Sequence, residues 1–399
     1  MSAWLWMLGA GGVTLPGIYI RISGADLGPT LDALVYGVAI VGAAFLLSWA
    51  AEVAEMDIPQ ALAVAILALV AVLPEYAVDL YFAWRAADEA LLPAAQQHYV
   101  HYATANMTGS NRLLVGLGWP VVFLLFALRF RKKSVHLETS HRIEVLFLGL
   151  ATVYSFVLPL KKSLSLVDTA VFLVLFGLYA WRVTKAEVHE PELVGPARLI
   201  GRLSRRPRRF ACGLMFVFSA AVIYFAAEPF AESLIATGKQ LQMDEFLLVQ
   251  WVAPLASEAP EFIVAFLWTL RGDAPAGLGA LVSSKVNQWT LLIGTLPLAY
   301  SINLGHPGAL ALDERQQHEL LLTACQSLFA VSVLANLRLS WYGALTLFVL
   351  FAAQLFVQGI RVPVSFVYLA LALGVFLRDR RLLVPLVKGG LGGTSRSGG

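Results

Sequence analysis

Apolar windows of roughly 18 to 25 residues follow one another from Ala3 to near residue 377, and this succession constrains the fold more than any other feature. As a helix, each window is long enough to cross ~30 Å of hydrocarbon, where the backbone must satisfy its own hydrogen bonds. Of the 399 residues, 58% are hydrophobic and 14% charged, about half the charge of an ordinary soluble domain. The pattern predicts an all-α polytopic membrane protein. Helices are expected near 3–20, 31–51, 58–84, 99–128, 143–160, 165–182, 210–230, 245–270, 276–300, 318–337, 340–358 and 362–377, giving 11 or 12 spans. The first run lacks a basic leader and reads as a spanning or re-entrant helix rather than a cleaved signal. Cys212 and Cys325, far apart inside apolar runs, read as small core residues.

Basic residues cluster in connections. Segment 129–142, the connection 183–209 and the tail after 377 are separated by even numbers of spans, so they share one face, which the positive-inside rule makes cytoplasmic. A net charge of +3 gives no reason to expect nucleic-acid binding. The residues after Lys388 read as a flexible tail. The long basic connection also separates two similar halves. "MDIPQALAVAILALVAVLPEYAVDLYFAWR" (56–85) matches "MDEFLLVQWVAPLASEAPEFIVAFLWTLR" (243–271), and "ATANMTGSNRLLVGLG" (103–118) matches "GLGALVSSKVNQWTLLIG" (277–294). Five spans per half would insert the copies with opposite topology, as in many secondary transporters. The expected organisation is an extra N-terminal helix (1–30), a first repeat (31–182, motifs 58–128) and the basic loop (183–209). A second repeat (210–358, motifs 245–300) and a C-terminal helix with tail (359–399) follow.

Carboxylates inside spans are expensive and mark ion or proton paths. Glu75 follows Pro74 and Glu261 follows Pro260, at equivalent positions of the two copies. Each proline removes a backbone donor, so a kink or break is expected where the acid sits. Glu258 precedes Glu261 by one turn and Asp79 follows Glu75 by one turn. Two such like charges require a cation or a proton between them. Asn106, Ser110 and Asn111 in one copy, and Ser283, Ser284, Asn287 and Gln288 in the other, add oxygens of the kind hard cations prefer, although small residues also serve helix packing. Gly116, Gly118, Gly277, Gly279 and Gly294 read as places of close backbone approach. Lys285 stands among these polar residues, with Glu258 or Glu261 as the expected partner, filling the place of a bound cation. A structural Lys–Glu pair is the plainer alternative. Glu52, Glu55, Asp57, Glu228 and Glu232 read as solvated acids near span ends, and His98 with His101 lacks a third metal ligand.

"PE" on one helix followed by "NMTGSN" on the next, in duplicate, resembles the α-repeats of the sodium/calcium exchanger superfamily of cation antiporters. That family shows G-T-S-x-P-E and then G-N-x-x-G-S-N-x-x-N or D. The resemblance implies a ten-helix antiporter core whose cations are bound by the acids, hydroxyls and amides of both motifs. Glu75 and Glu261 match the paired acids, Ser110 and Ser284 the hydroxyls, and Ser257 the threonine of the second copy. The chain departs from the pattern at Ala71 and Val72, Arg112, Leu114, Glu258, Lys285 and Gln288. It resembles a secondary-active antiporter exchanging Na⁺ or H⁺ against Ca²⁺ or another cation by alternating access. A monovalent Na⁺/H⁺ exchanger, or a non-transporting membrane protein that keeps the fold, are the alternatives. No nucleophile motif or metal triad suggests an enzyme. No cofactor is implied beyond transported cations (Na⁺, H⁺, Ca²⁺). The expected partners are these inorganic cations and the lipid bilayer, with the plasma membrane as the expected location, and the sequence sets no oligomeric state.

Overall fold

The computed structural model describes residues 3–57, 72–93, 96–185, 193, 195–357 and 359–391. Part of the expected helix 58–84, part of the basic connection and the end of the expected flexible tail therefore lie outside the described residues. The described chain is almost entirely helical. In order it runs α1 (Ala3–Gly12), α2 (Leu15–Ser23), α3 (Pro29–Ala54), α4 (Leu73–Asp88), α5 (Tyr99–Leu113) and α6 (Trp119–Phe130). Next come β1 (Ser134–His136), α7 (Arg142–Ser155), α8 (Val157–Lys161), β2 (Ser163–Ser165), α9 (Leu166–Val183), α10 (Ala197–Gly201), α11 (Arg205–Gln240) and α12 (Glu245–Leu270). The chain closes with α13 (Ala274–Asn287), α14 (Ile293–Leu304), β3 (Ala309–Ala311), α15 (Glu314–Leu334), β4 (Arg338–Ser340), α16 (Trp341–Phe356), α17 (Arg361–Arg378) and α18 (Leu383–Leu391). Among the described residues, seven helical runs are long and apolar enough to cross a membrane. α12 and α15, at 26 and 21 residues, have the length as well but carry buried polar side chains.

Two compact units form, one from Met1–Phe82 with Glu187–Pro260 and the other from Ala83–Ala186 with Glu261–Gly399. The first unit is organised by α3 against α11. Ala39, Ala43, Leu47 and Ala51 recur every fourth residue and pack on Val222 and Ile223. Small residues at that spacing let two membrane helices approach closely, where dispersion replaces the absent hydrophobic drive. At 36 residues α11 is about 54 Å long, far beyond the hydrocarbon, so its arginine-rich first turns extend out of it. There Arg208 grips Asp57 through two hydrogen bonds of 2.7 and 2.9 Å, with Arg205 and Arg209 at 3.5 Å. The Arg208 hydrogen bonds hold the Asp57 carboxyl below the usual carboxylate range. Other acids expected to be solvated also have partners: Glu228 pairs with Arg21, and Glu232 accepts from the Tyr81 hydroxyl. Burial pushes Glu55 up to about 7.

The second unit repeats itself. α5 and α6 are joined by a π turn, Leu114–Gly118, and α13 and α14 by another, Gln288–Leu292. After α6, Arg131 closes the helix at φ 55; after α14, Gly305 does so at φ 77. Lys162 and Leu337, at φ 59 and 57, then introduce β2 and β4. The strands pair crosswise. β1 joins β4 (Val135 opposite Leu339), and β2 joins β3 (Leu164 opposite Leu310). Each pair is extended by an equivalent bond, Leu137 N–H to Leu337 O at 2.8 Å and Leu312 N–H to Lys162 O at 2.9 Å. α7 with α8 leads from the first strand pair to the second, and α15 leads from the second back to the first.

Several expectations are corrected. The single helix expected at 3–20 is two helices, with Gly24 closing the second in the left-handed conformation. The expected helix 210–230 is α11, extended by five residues at its start and ten at its end. α12 continues unbroken through Pro254 and Pro260, where a break was an option, and Pro74 lies in the first turn of α4. α18 ends three residues inside the expected flexible tail. The cysteines are buried and unbridged.

Two outcomes follow from local chemistry. An arginine in the left-handed region costs about 1 kcal/mol relative to glycine, so Arg131→Gly should raise the thermal unfolding midpoint in detergent. Because the Asp57 pKa is lowered in the folded protein, its contribution is complete above the unfolded value and fades as pH falls through the lowered one. Asp57→Asn should therefore lower the midpoint at pH 7 and flatten the loss of stability as pH falls below about 4.

Candidate functional site

In the second unit, α13 is set by its cap. Asp273 accepts the Ala276 N–H at 3.0 Å, and Pro275 occupies the first turn. Gly277 lets the helix lie against the last turns of α12, since a Cβ there would stand 2.5 Å from the Ala265 carbonyl oxygen and 2.8 Å from Thr269 Oγ1. This contact carries Ser284 to Glu261, and the Ser284 hydroxyl donates to Glu261 Oε2. Gly116, Gly118, Gly279 and Gly294 are likewise tight, against Phe351, Phe262, His141 and Phe172.

Lys285, the next residue, is fully buried. Its ammonium donates to the Asn111 carbonyl at 3.0 Å and to Asn111 Oδ1 at 2.6 Å, and stands 4.6 Å from the centre of the Trp289 ring. Two dipoles and a π face thus solvate a charge that hydrocarbon could not. Asn111 and Lys285 are 174 residues apart, the same spacing as the two π turns, so each occupies the other's place in the opposite copy.

The motif hydroxyls and amides of α5 spend their donors on their own helix. Ser110 donates to the Asn106 carbonyl at 3.0 Å, and Asn111 Nδ2 to the Met107 carbonyl at 2.8 Å. Their oxygen lone pairs are then the groups left to receive a positive charge. Asn106, Ser110, Asn287 and Gln288 are all buried. Thr290 at the second π turn donates back to the Val286 carbonyl at 2.6 Å.

In the first unit, Glu75 and Asp79 lie on α4 and are 2% and 0% exposed. Ser257 and Glu258 lie on α12 and are 5% and 2% exposed. Ser257 behaves like Ser110, donating to the Ala253 and Pro254 carbonyls, both at 3.2 Å. Glu261 alone among the expected acids is partly exposed.

Sequence reasoning did not single out three things. Asn111 was noted as part of its motif but not as the lysine's partner, because a carboxylate was sought. Trp289 was given no role. A further ionic network, Arg112 with Glu319 and Arg361, was missed outright. An arginine in the middle of a motif helix needs a buried acid, and Glu319 on α15 was one of few acids in an apolar run. His101 lies 3.6 Å from Asp313, and among the described residues no three His, Cys, Asp or Glu side chains form a metal cluster.

Among the described residues, membrane-length helices carrying buried carboxylates, hydroxyls, amides and the Lys285 ammonium define a polytopic membrane protein. The chain belongs to the sodium/calcium exchanger protein family, whose pattern matches residues 31–185 and 213–360. It is similar to the crystal structure of the H⁺/Ca²⁺ exchanger CAX, at 44% identity over 98% of both chains with a TM-score of 0.93. Native YfkE is similar at 15% identity over 92% of this chain and 99% of that one, with a TM-score of 0.62. A sodium-calcium exchanger, NCX_Mj, soaked with Na⁺ and Sr²⁺, is similar at 14% identity over 82% of this chain and 99% of that one, with a TM-score of 0.54. The last two likenesses concern the fold. No curated protein sequence matches the chain. Relatives in this family are exchangers rather than enzymes.

Gly277→Val should force α13 away from α12 and part Ser284 from Glu261. Any cation-induced rise in unfolding midpoint should then fall by half or more, while Gly277→Ala gives a smaller loss.

Proposed function

We propose that this protein is a secondary-active antiporter that exchanges H⁺ against Ca²⁺ by alternating access. Glu75 and Glu261 serve as central acidic ligands, with Glu258, Asp79, Ser257, Ser110, Ser284, Gln288 and Asn106 as further oxygen donors. The observation that carries the reading is Glu261, a carboxylate-bearing residue within a membrane-length helix whose side chain is held by the Ser284 hydroxyl. A carboxylate so placed is a station for a hard cation or a proton. The donors are all oxygen, which suits Ca²⁺ and not a soft metal. Likeness at 44% identity to an H⁺/Ca²⁺ exchanger supports the choice of ions.

The crosswise strand pairs and the opposed courses of α7–α8 and α15 support an inverted duplication, the architecture in which one binding region is opened to each side in turn. The basic connections, including the arginines that clasp Asp57, then lie in the cytoplasm. Lys285 acts as a tethered cation. Its ammonium occupies a binding station when no ion is bound and withdraws to the oxygens of Asn111 when one arrives.

A monovalent Na⁺/H⁺ exchanger on the same scaffold is the second reading, and Lys285 favours it, since a built-in positive charge leaves less carboxylate for a divalent ion. Thermal unfolding separates the two. Binding to the native state raises stability by about 2.7 kcal/mol at a ligand concentration one hundred times Kd. Ca²⁺ alone should raise the midpoint of the purified protein, and Glu261→Gln should remove that rise. A response to Na⁺ with none to Ca²⁺ selects the second reading, and a flat response to both rejects exchange.

A further inference from the structure

One buried charge on α5 takes no part in the proposed site. Arg112 is 1% exposed and its Nη2 lies 2.6 Å from Glu319 Oε2. The other oxygen of Glu319, itself fully buried, lies 2.5 Å from Arg361 Nε. Arg112 Nη1 donates to Gln354 Oε1 at 3.1 Å, and its Nε to the Thr108 carbonyl at 3.3 Å. The Gln326 amide donates to the Arg112 carbonyl at 3.4 Å. The guanidinium and its peptide are thus tied to α15, α16 and, through Glu319, α17.

A buried ionic network of this kind is a poor device for stability, because apolar residues of similar volume do as well or better. Its place gives it another use. The peptide carbonyl immediately before Arg112 is the Asn111 oxygen that accepts the Lys285 ammonium, and the Asn111 side chain accepts it too. Whatever fixes the backbone at 111–112 fixes where the ammonium stands.

We propose that Glu319, acting through Arg112 and the Asn111 carbonyl, is a positioning residue that holds Lys285 at the Asn111 oxygens and so limits its competition with the transported cation. This rests on the tethered-cation reading of Lys285 above. Loosening the network frees the ammonium to compete for the acids, so more cation is needed for the same rate.

The test is a mutant cycle in proteoliposomes, with half-saturating Ca²⁺ for exchange measured in wild type, Glu319→Gln, Gln354→Leu, Lys285→Met and the two double variants with Lys285→Met. Glu319→Gln and Gln354→Leu should each raise half-saturation about five- to tenfold, and neither should change it in the Lys285→Met background. Adding Gln354→Glu to Glu319→Gln returns a carboxylate to Arg112 and should restore the wild-type value. Equal fold-changes in both backgrounds, or single variants that match wild type, overturn the proposal. Should Glu319→Gln fail to fold, Gln354→Leu carries the same cycle, because it removes the hydrogen bond to an uncharged amide and leaves the ion pair. An active wild type with additive variants rejects only this inference, whereas a wild type that exchanges no cation removes the proposed function and this inference together.

Discussion

An ammonium group inside a bilayer must be solvated by protein or not exist there, and Lys285 is solvated by Asn111 and the face of Trp289. That requirement orders much of the second unit. α13 cannot turn or slide without losing two oxygens supplied by α5, and α5 cannot move without carrying Arg112 out of its network. Asp168 shows the same logic at the start of α9, where the Tyr154 hydroxyl, the Ser165 backbone and the Lys161 ammonium all converge on one carboxylate. Polar groups are few in this chain, so each acts as a register mark for the helices that meet at it.

Much of this was legible in the sequence. Hydropathy gave the helices, and α12 emerged with the expected bounds because Asp244 and Gly272 punctuate both ends. α11 was cut short because hydropathy reports hydrocarbon, while a helix continues into water as long as its backbone bonds allow. The π turns left no compositional trace, since one extra residue in a turn changes no residue type. The three-residue strands were too short to show alternation. The family resemblance rested on Pro-Glu and Gly-Ser-Asn, and the family match covers both halves.

The candidate site was legible by residue type rather than by partner. Sequence marks Glu261, Ser284, Ser110 and Lys285 as out of place among apolar neighbours, but says nothing of which donors are already spent. Ser110 and Ser257 direct their hydrogens to their own helices, whereas Ser284 gives its hydrogen to Glu261. Only coordinates distinguish these uses of one side chain. The Lys285 partner was sought among carboxylates because opposite charge is the stronger prior, and an amide paired with its own carbonyl was not weighed.

The crosswise hems have a consequence for how such a chain changes over time. β1 finds its mate in β4 and β2 in β3, so neither half keeps a complete ribbon of its own. A residue inserted beside Lys162 would shift a pairing owned jointly with the stretch around Leu312, and compensation would have to arise on the far side of the gene. The two halves can therefore differ in their buried side chains, as Asn111 and Lys285 do, while remaining bound to one another in length.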